Sequence, residues 1–201
     1  MSSLSPREIF SGIYERNAWI VGSGEGSLPE NTIIYRTFLQ HFLQEKKIQT
    51  VLDIGCGDWQ LGSRIDWSGI EYVGIDIVPS VIEMNRRRYP SEHLSFVCAD
   101  ATTERLPPAD LLLIKDVLQH WPNDTILCSL SSWKECRYVL LTNDVCDHPT
   151  IDCVLGSHRP INLALPPFSL PLTEVLRYDV HEYSQAKTTT KVVCLLEHII
   201  P

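Results

Sequence analysis

Val51-Leu52-Asp53-Ile54-Gly55-Cys56-Gly57-Asp58 reads as a buried strand that ends in an acid and runs into a glycine-x-glycine turn. Glycines at such a turn let the backbone come close to a ligand at the carboxyl edge of a sheet. Taken alone, the stretch makes a nucleoside-like cofactor plausible, against the lesser reading of a tight turn that binds nothing. A second acid, Asp76, ends the next strand-like run Tyr72-Val73-Gly74-Ile75 about twenty residues on, where a carboxylate can accept both hydroxyls of a ribose. A third, Asp100, closes Ser95-Phe96-Val97-Cys98-Ala99. Any one of these acids could be an ordinary turn residue. Three at the ends of successive strands fall along one edge of a sheet.

Outward from that core the pattern alternates. Strands are expected over Thr50 to Ile54, Tyr72 to Ile75, Leu94 to Cys98, Leu111 to Ile114 and Tyr138 to Thr142, with helices near Gln60 to Ile65, Pro79 to Tyr89 and Pro122 to Lys134. Ile126, Leu127, Leu130 and Trp133 would form the inner face of the last helix. Short apolar strands between amphipathic helices imply an α/β, doubly wound, mostly parallel sheet. Glu174 to Val180 and Lys191 to His198 are strand-like but too close for a crossover helix, so they should pair as an antiparallel hairpin and complete seven strands.

Upstream, Ser5-Pro6-Arg7-Glu8 is a capping box that starts a helix to about Arg16. Ala18 to Glu30 should be a loop, and Ile34, Tyr35, Phe38, Leu39, Phe42 and Leu43 recur at helical spacing through Lys46. Asp144 to Leu172, with five prolines, is too long for an idle connection and is a candidate functional loop.

The 201 residues suit one domain, and a net charge of -8 disfavours nucleic acid and leaves a small molecule as the favoured partner. Arg86-Arg87-Arg88 falls at a helix end, where cations offset the dipole. Met1 to Phe10 lacks the blocks of a signal peptide and no run is long enough for a membrane span, so a cytoplasmic location is expected. Seven cysteines are read as reduced thiols, with Cys98, Cys128 and Cys194 as small core groups. Cys146, His148 and Cys153 are close together but lack metal-ligand spacing, so no metal is expected.

Leu52-Asp53-Ile54-Gly55-Cys56-Gly57, the acid at Asp76 and Cys98-Ala99-Asp100-Ala101 resemble the class I methyltransferases that use S-adenosylmethionine (SAM), over roughly Gln49 to His198. The chain is also similar to a bacterial subgroup of that superfamily with no assigned acceptor. That likeness rests on Cys56-Gly57-Asp58-Trp59, Ile75-Asp76-Ile77-Val78-Pro79, Asp116-Val117-Leu118-Gln119-His120, Arg159-Pro160-Ile161-Asn162-Leu163 and Pro166-Pro167-Phe168. The resemblance implies a Rossmann-like domain with N-terminal helices and a covering loop over 1–48, a SAM-binding core over 49–143, a substrate loop over 144–171 and the hairpin over 172–201.

By the same resemblance, Gly55 and Gly57 face the methionine part of SAM, Asp76 the ribose, and Asp100 with Ala101 the adenine, with Asp53, Cys56, Asp58, Ile77 and Lys115 nearby. Trp19 and Tyr35 would close over the cofactor, or else anchor the extra helix. Asp116 or His120 would serve as a base, sharing a face if both were helical. Asn143, Arg159 and Asn162 would contact the acceptor. A nicotinamide oxidoreductase is the rival enzyme reading, weakened by Gln60 where a third glycine is wanted. A non-catalytic SAM-binding subunit is the other.

Overall fold

In the computed structural model, which describes residues 4–198, seven strands form one sheet in the order β3-β2-β1-β4-β5-β7-β6. The strands are β1 Thr50–Ile54, β2 Glu71–Asp76, β3 Leu94–Cys98, β4 Ala109–Lys115, β5 Cys136–Asp144, β6 Thr173–Glu182 and β7 Lys187–Glu197. The first five run parallel, and β7 is antiparallel to both neighbours. The expected fold is present. The expected segment ends at 1–3 and 199–201 lie outside the described residues.

Strand β4 shows why the sheet is covered on both sides. Its run Leu111-Leu112-Leu113-Ile114 is buried throughout, and alternate residues go to opposite faces. Leu111 and Leu113 join Tyr35, Leu39, Phe42 and Tyr72 in one core cluster. Leu112 and Ile114 join Ile126, Trp133 and Leu163 in the other. Truncating such a central leucine to alanine costs about 2 to 5 kcal/mol.

Among the described residues the α-helices are α1 Pro6–Glu15, α2 Ile33–Glu45, α3 Pro79–Arg88 and α4 Asn123–Trp133, with α1 over the carboxyl edge of the sheet. The capping box at α1 forms in both directions between Ser5 and Glu8. The helix expected near Gln60 is reduced to a 3₁₀ turn, Gly62–Arg64, and Trp59 just before it has left-handed backbone at φ 59°, which an α-helix does not include.

Three expectations need correction. The inner face of α4 is Ile126, Ser129, Leu130 and Trp133, while Leu127 faces out. On α2, Ile34 is exposed and the buried stripe is Tyr35, Leu39, Phe42 and Leu43. Cys128 is exposed, and Cys136 is the buried thiol. On both helices the remaining expected apolar positions do pack inward, so the apolar stripe is narrower than assumed and not rotated. Arg86, Arg87 and Arg88 sit in the last turn of α3, with Arg87 paired to Glu83 and Arg86 donating to the Phe96 carbonyl.

Candidate active site

A cavity of about 450 Å³ opens at the carboxyl edge of the parallel strands. Asp53, Asp76 and Asp100 all line it. Register explains their convergence, since β1 and β2 pair Ile54 with Ile75 and β2 and β3 pair Asp76 with Cys98, so the three strands end side by side. The volume lies within the roughly 300 to 1,000 Å³ common for small-molecule and cofactor sites.

Asp76 accepts from the Gly57 N–H at 3.1 Å and the Val78 N–H at 2.9 Å, one on each carboxylate oxygen. Each oxygen therefore keeps a lone pair for a ligand. Asp100 accepts from Thr102 through both its N–H and its hydroxyl on one oxygen, leaving the other without a protein partner among the described residues. Asp53 is also reached from the cavity, with one oxygen accepting from the Tyr72 hydroxyl. Burial pushes its carboxyl up to about 7, which the Tyr72 bond and the Lys115 charge only partly oppose.

Gly55 is left-handed at φ 70°, and a Cβ there would meet Val117 Cγ2 at 2.3 Å. The backbone of Gly55 is thereby exposed to the cavity with no side chain in between. Cys56, Asp58, Ile77 and Ala101 line the same cavity, and burial pushes the Cys56 thiol well above its ordinary range.

A strap over residues 16–32 roofs this end. It turns tightly, with left-handed backbone at Asn17, Ile20, Gly22 and Gly24. Ser23 fastens it: its hydroxyl donates to Asp58 Oδ1 and accepts the Asp58 N–H, both at 2.8 Å. Trp19 lines the cavity with its ring 5.3 Å from Tyr14 and 5.2 Å from His120.

The other end of the cavity is a chain of buried charges. Lys115 donates to Asp116 Oδ2, Lys191 donates to Asp116 Oδ1 at 2.7 Å and to Asp144 Oδ1 at 2.6 Å, and Asp144 Oδ2 lies 2.8 Å from His158 Nε2. Asp144 and Lys191 are directly opposed residues of β5 and β7, so antiparallel register makes that pair. Lys115 also reaches the carbonyl of Gly26 in the strap, at 3.3 Å.

Asp116 has left-handed backbone at φ 59°, uncommon for a residue with a side chain and a mark of local strain held by its surroundings. The two lysines outweigh its burial and hold its carboxyl far below the usual range. The lone pairs a base would offer are taken. His120 lies in a 3₁₀ turn, Leu118–His120, and not on a helix shared with Asp116, which corrects the expected arrangement while leaving both on the cavity wall. Its Nδ1 is 2.8 Å from the Ser157 carbonyl, which requires the proton on Nδ1 and leaves Nε2 an acceptor. Burial pushes its pKa down to about 4, so the ring is neutral at neutral pH.

Five expected site residues do not line the cavity. Tyr35 is 1% exposed and packs in the core against Tyr178, with Lys115 Nζ 5.8 Å from its ring centroid. Gly57 stands behind Asp76, held by Asn85 at 2.7 Å. Asn143 alternates with Asp144 along β5 and so faces the opposite side of the sheet. Arg159 is buried and ties the 144–171 segment to the Gln119 carbonyl and to Asn123. Asn162 bonds within its own loop, to Cys146 and Ala164. Among the described residues no group of three or more His, Cys, Asp or Glu is placed to hold a metal ion.

Comparison with known proteins bears on this geometry. Residues 52–140 match the methyltransferase domain family. Over 84 residues the chain is 31% identical to a malonyl-[acyl-carrier protein] O-methyltransferase of Acetivibrio thermocellus, covering 41% of this chain and 30% of that enzyme's length.

Among solved structures, magnesium protoporphyrin IX methyltransferase of Synechocystis with bound S-adenosylhomocysteine superposes at a TM-score of 0.66, with 13% identity, over 94% of this chain and 97% of that one. The 1,6-didemethyltoxoflavin-N1-methyltransferase of Burkholderia thailandensis gives 0.65, with 15% identity, over 99% and 93%. At those identities the likeness is one of fold.

The matched stretch thus covers most of β1, all of β2 to β4 and the first half of β5, while the strap, the 144–171 loop and the hairpin finish the cavity from outside it. Ser23, Asp144, His158 and Lys191 escaped sequence reasoning. Lys191 left a trace, a lone cation opening the apolar run Val192-Val193-Cys194-Leu195 on a strand of the expected hairpin. His158 and Ser23 lie in irregular segments, which carry no periodic signal.

Proposed function

We propose that the chain transfers a methyl group from SAM to a small-molecule acceptor. The observation that carries this reading is the convergence of Asp53, Asp76 and Asp100 on one cavity whose far end is a charge-balanced polar wall. The residues fit the cofactor: Asp76 has spare lone pairs for ribose hydroxyls, Asp100 with Ala101 for the adenine edge, and Asp53 with the Gly55 backbone for the ammonium end. When bound, SAM supplies a methyl group already made electrophilic by its sulfonium.

The protein's own task is alignment and exclusion of water, which together can supply about 7 to 11 kcal/mol of a barrier. Trp19 and the Ser23 tie close the cofactor end, and neutral His120 offers a fixed acceptor to the incoming group. A dinucleotide reading fares worse, because the pyrophosphate needs a helix N-terminus at the glycine turn and only a three-residue 3₁₀ turn follows. No helix among the described residues is long and apolar enough to cross a membrane.

S-adenosylhomocysteine should raise the melting temperature and bind by calorimetry, since a ligand of the native state alone stabilises it. Methyl-labelled SAM incubated with a low-molecular-mass metabolite extract should yield a labelled product. Binding without any transfer would leave a SAM-binding subunit; neither binding nor transfer would end the reading.

A further inference from the structure

We propose that His158 and Asp144 form a base dyad at the acceptor end, and that the group methylated there still carries its proton at neutral pH, as a hydroxyl or an ammonium does. This inference rests on the methyl-transfer reading above.

His158 lines the cavity, and its Nε2 lies 2.8 Å from Asp144 Oδ2. Asp144 is 4% exposed and anchored on its other oxygen by Lys191, so it is a fixed anion behind the ring. His158 and Lys191 together hold the Asp144 carboxyl below the usual range in spite of its burial. A carboxylate in that position orients an imidazole and stabilises the imidazolium formed when its other nitrogen takes a proton. That other nitrogen, Nδ1, makes no hydrogen bond among the described residues. The groups facing His158 are Asp144 from β5, His120 from the turn after β4 with ring centroids 5.7 Å apart, and Lys191 from β7 beyond Asp144.

The other candidates at this end serve less well. Asp116 has both oxygens on lysines. Glu182 is tied to Thr189 and Lys187. His120 has only a backbone carbonyl behind it, and its burial disfavours the charge a base must take on. His158 alone combines a buried counter-charge with a side chain 48% exposed, through which a proton can leave to water.

The balance is simple. His158 Nδ1 takes the acceptor's proton, and the freed pair on oxygen or nitrogen forms the bond to the methyl carbon. That carbon's bond to the sulfonium sulfur breaks, with its electron pair remaining on sulfur. A carboxylate acceptor, already ionised at neutral pH, has no use for such a dyad.

The test uses the full chain, methyl-labelled SAM and a low-molecular-mass metabolite extract, with mass identification of the labelled product. His158→Gln should lower transfer by roughly 100- to 10,000-fold, the usual worth of a general base, while S-adenosylhomocysteine binds with unchanged affinity and so reports an intact fold. In Asp144→Asn the acid limb of the rate against pH should move to lower pH, whereas His120→Gln should leave that limb in place. Undiminished transfer by His158→Gln, or a product that is a methyl ester, would overturn the dyad alone. Absence of transfer by the unaltered protein would remove the methyl-transfer reading and the dyad with it.

Discussion

At the cofactor end, Asp53, Asp76 and Asp100 each stand at or just past a strand end and lean on one or two local partners, keeping lone pairs to spare. At the acceptor end, Lys115, Asp116, Asp144 and Lys191 spend their charges on one another. The first arrangement is poised to bind and the second to hold shape. Removing a group from the first should cost affinity, and removing one from the second should cost stability.

The largest effect should come from Lys191→Met, which takes away the cation shared by two buried carboxylates and leaves Asp116 to Lys115 and Asp144 to His158. Breaking a buried pair from one side costs about 3 to 5 kcal/mol. For a chain of this size that is a fall in melting temperature of roughly 6 to 20 °C. A melting curve within a degree or two of the parent protein would show that the network carries no stability and dissolve the contrast.

Next is Asp76→Ala, on the binding side. Hydrogen bonds to a charged group are worth about 1.5 to 3 kcal/mol, or roughly a 10- to 150-fold loss of affinity for S-adenosylhomocysteine by calorimetry. Unchanged affinity would reject Asp76 as the ribose contact.

Gly55→Ala should do both in smaller measure. A left-handed residue with a Cβ costs about 1 to 2 kcal/mol, and the new methyl group would press on Val117. We expect a lower denaturant midpoint together with weakened binding; a variant as stable as the parent would mean the turn relaxes freely.

The smallest effect is a fraction of a proton. The Asp53 carboxyl is raised to about 7 in the folded protein, above its unfolded value. The folded state therefore binds more protons than the unfolded one between those values, and stability falls as pH rises through that window and levels off above about 7. A cationic ligand beside Asp53 favours the ionised form, so SAM binding near pH 7 should release protons. Calorimetry in two buffers of different ionisation enthalpy measures this. Proton uptake would show that the cation does not sit at Asp53.

Much of the cofactor end was legible because each part is local. Asp53-Ile54-Gly55 is one strand end and one turn, and Asp76 is two residues from Val78, whose N–H it accepts. Even so, Gly57 and Tyr35 were placed a layer too close, since a motif names the residues that make a site without saying which of them support it from behind. The loop residues Arg159 and Asn162 were misread for a related reason: a polar side chain in a long loop serves backbone groups of that loop as readily as a ligand.

The sequence by itself determined the alternation of strands and helices, the hairpin and the three acids at strand ends, because a strand of period two and a glycine turn are written in adjacent residues. Only the tertiary structure decided the acceptor wall. Lys115, Asp144, His158 and Lys191 are far apart along the chain and meet through strand order, the β5 and β7 register and the path of one irregular loop. Those are products of packing across the whole sheet, and no local pattern encodes them.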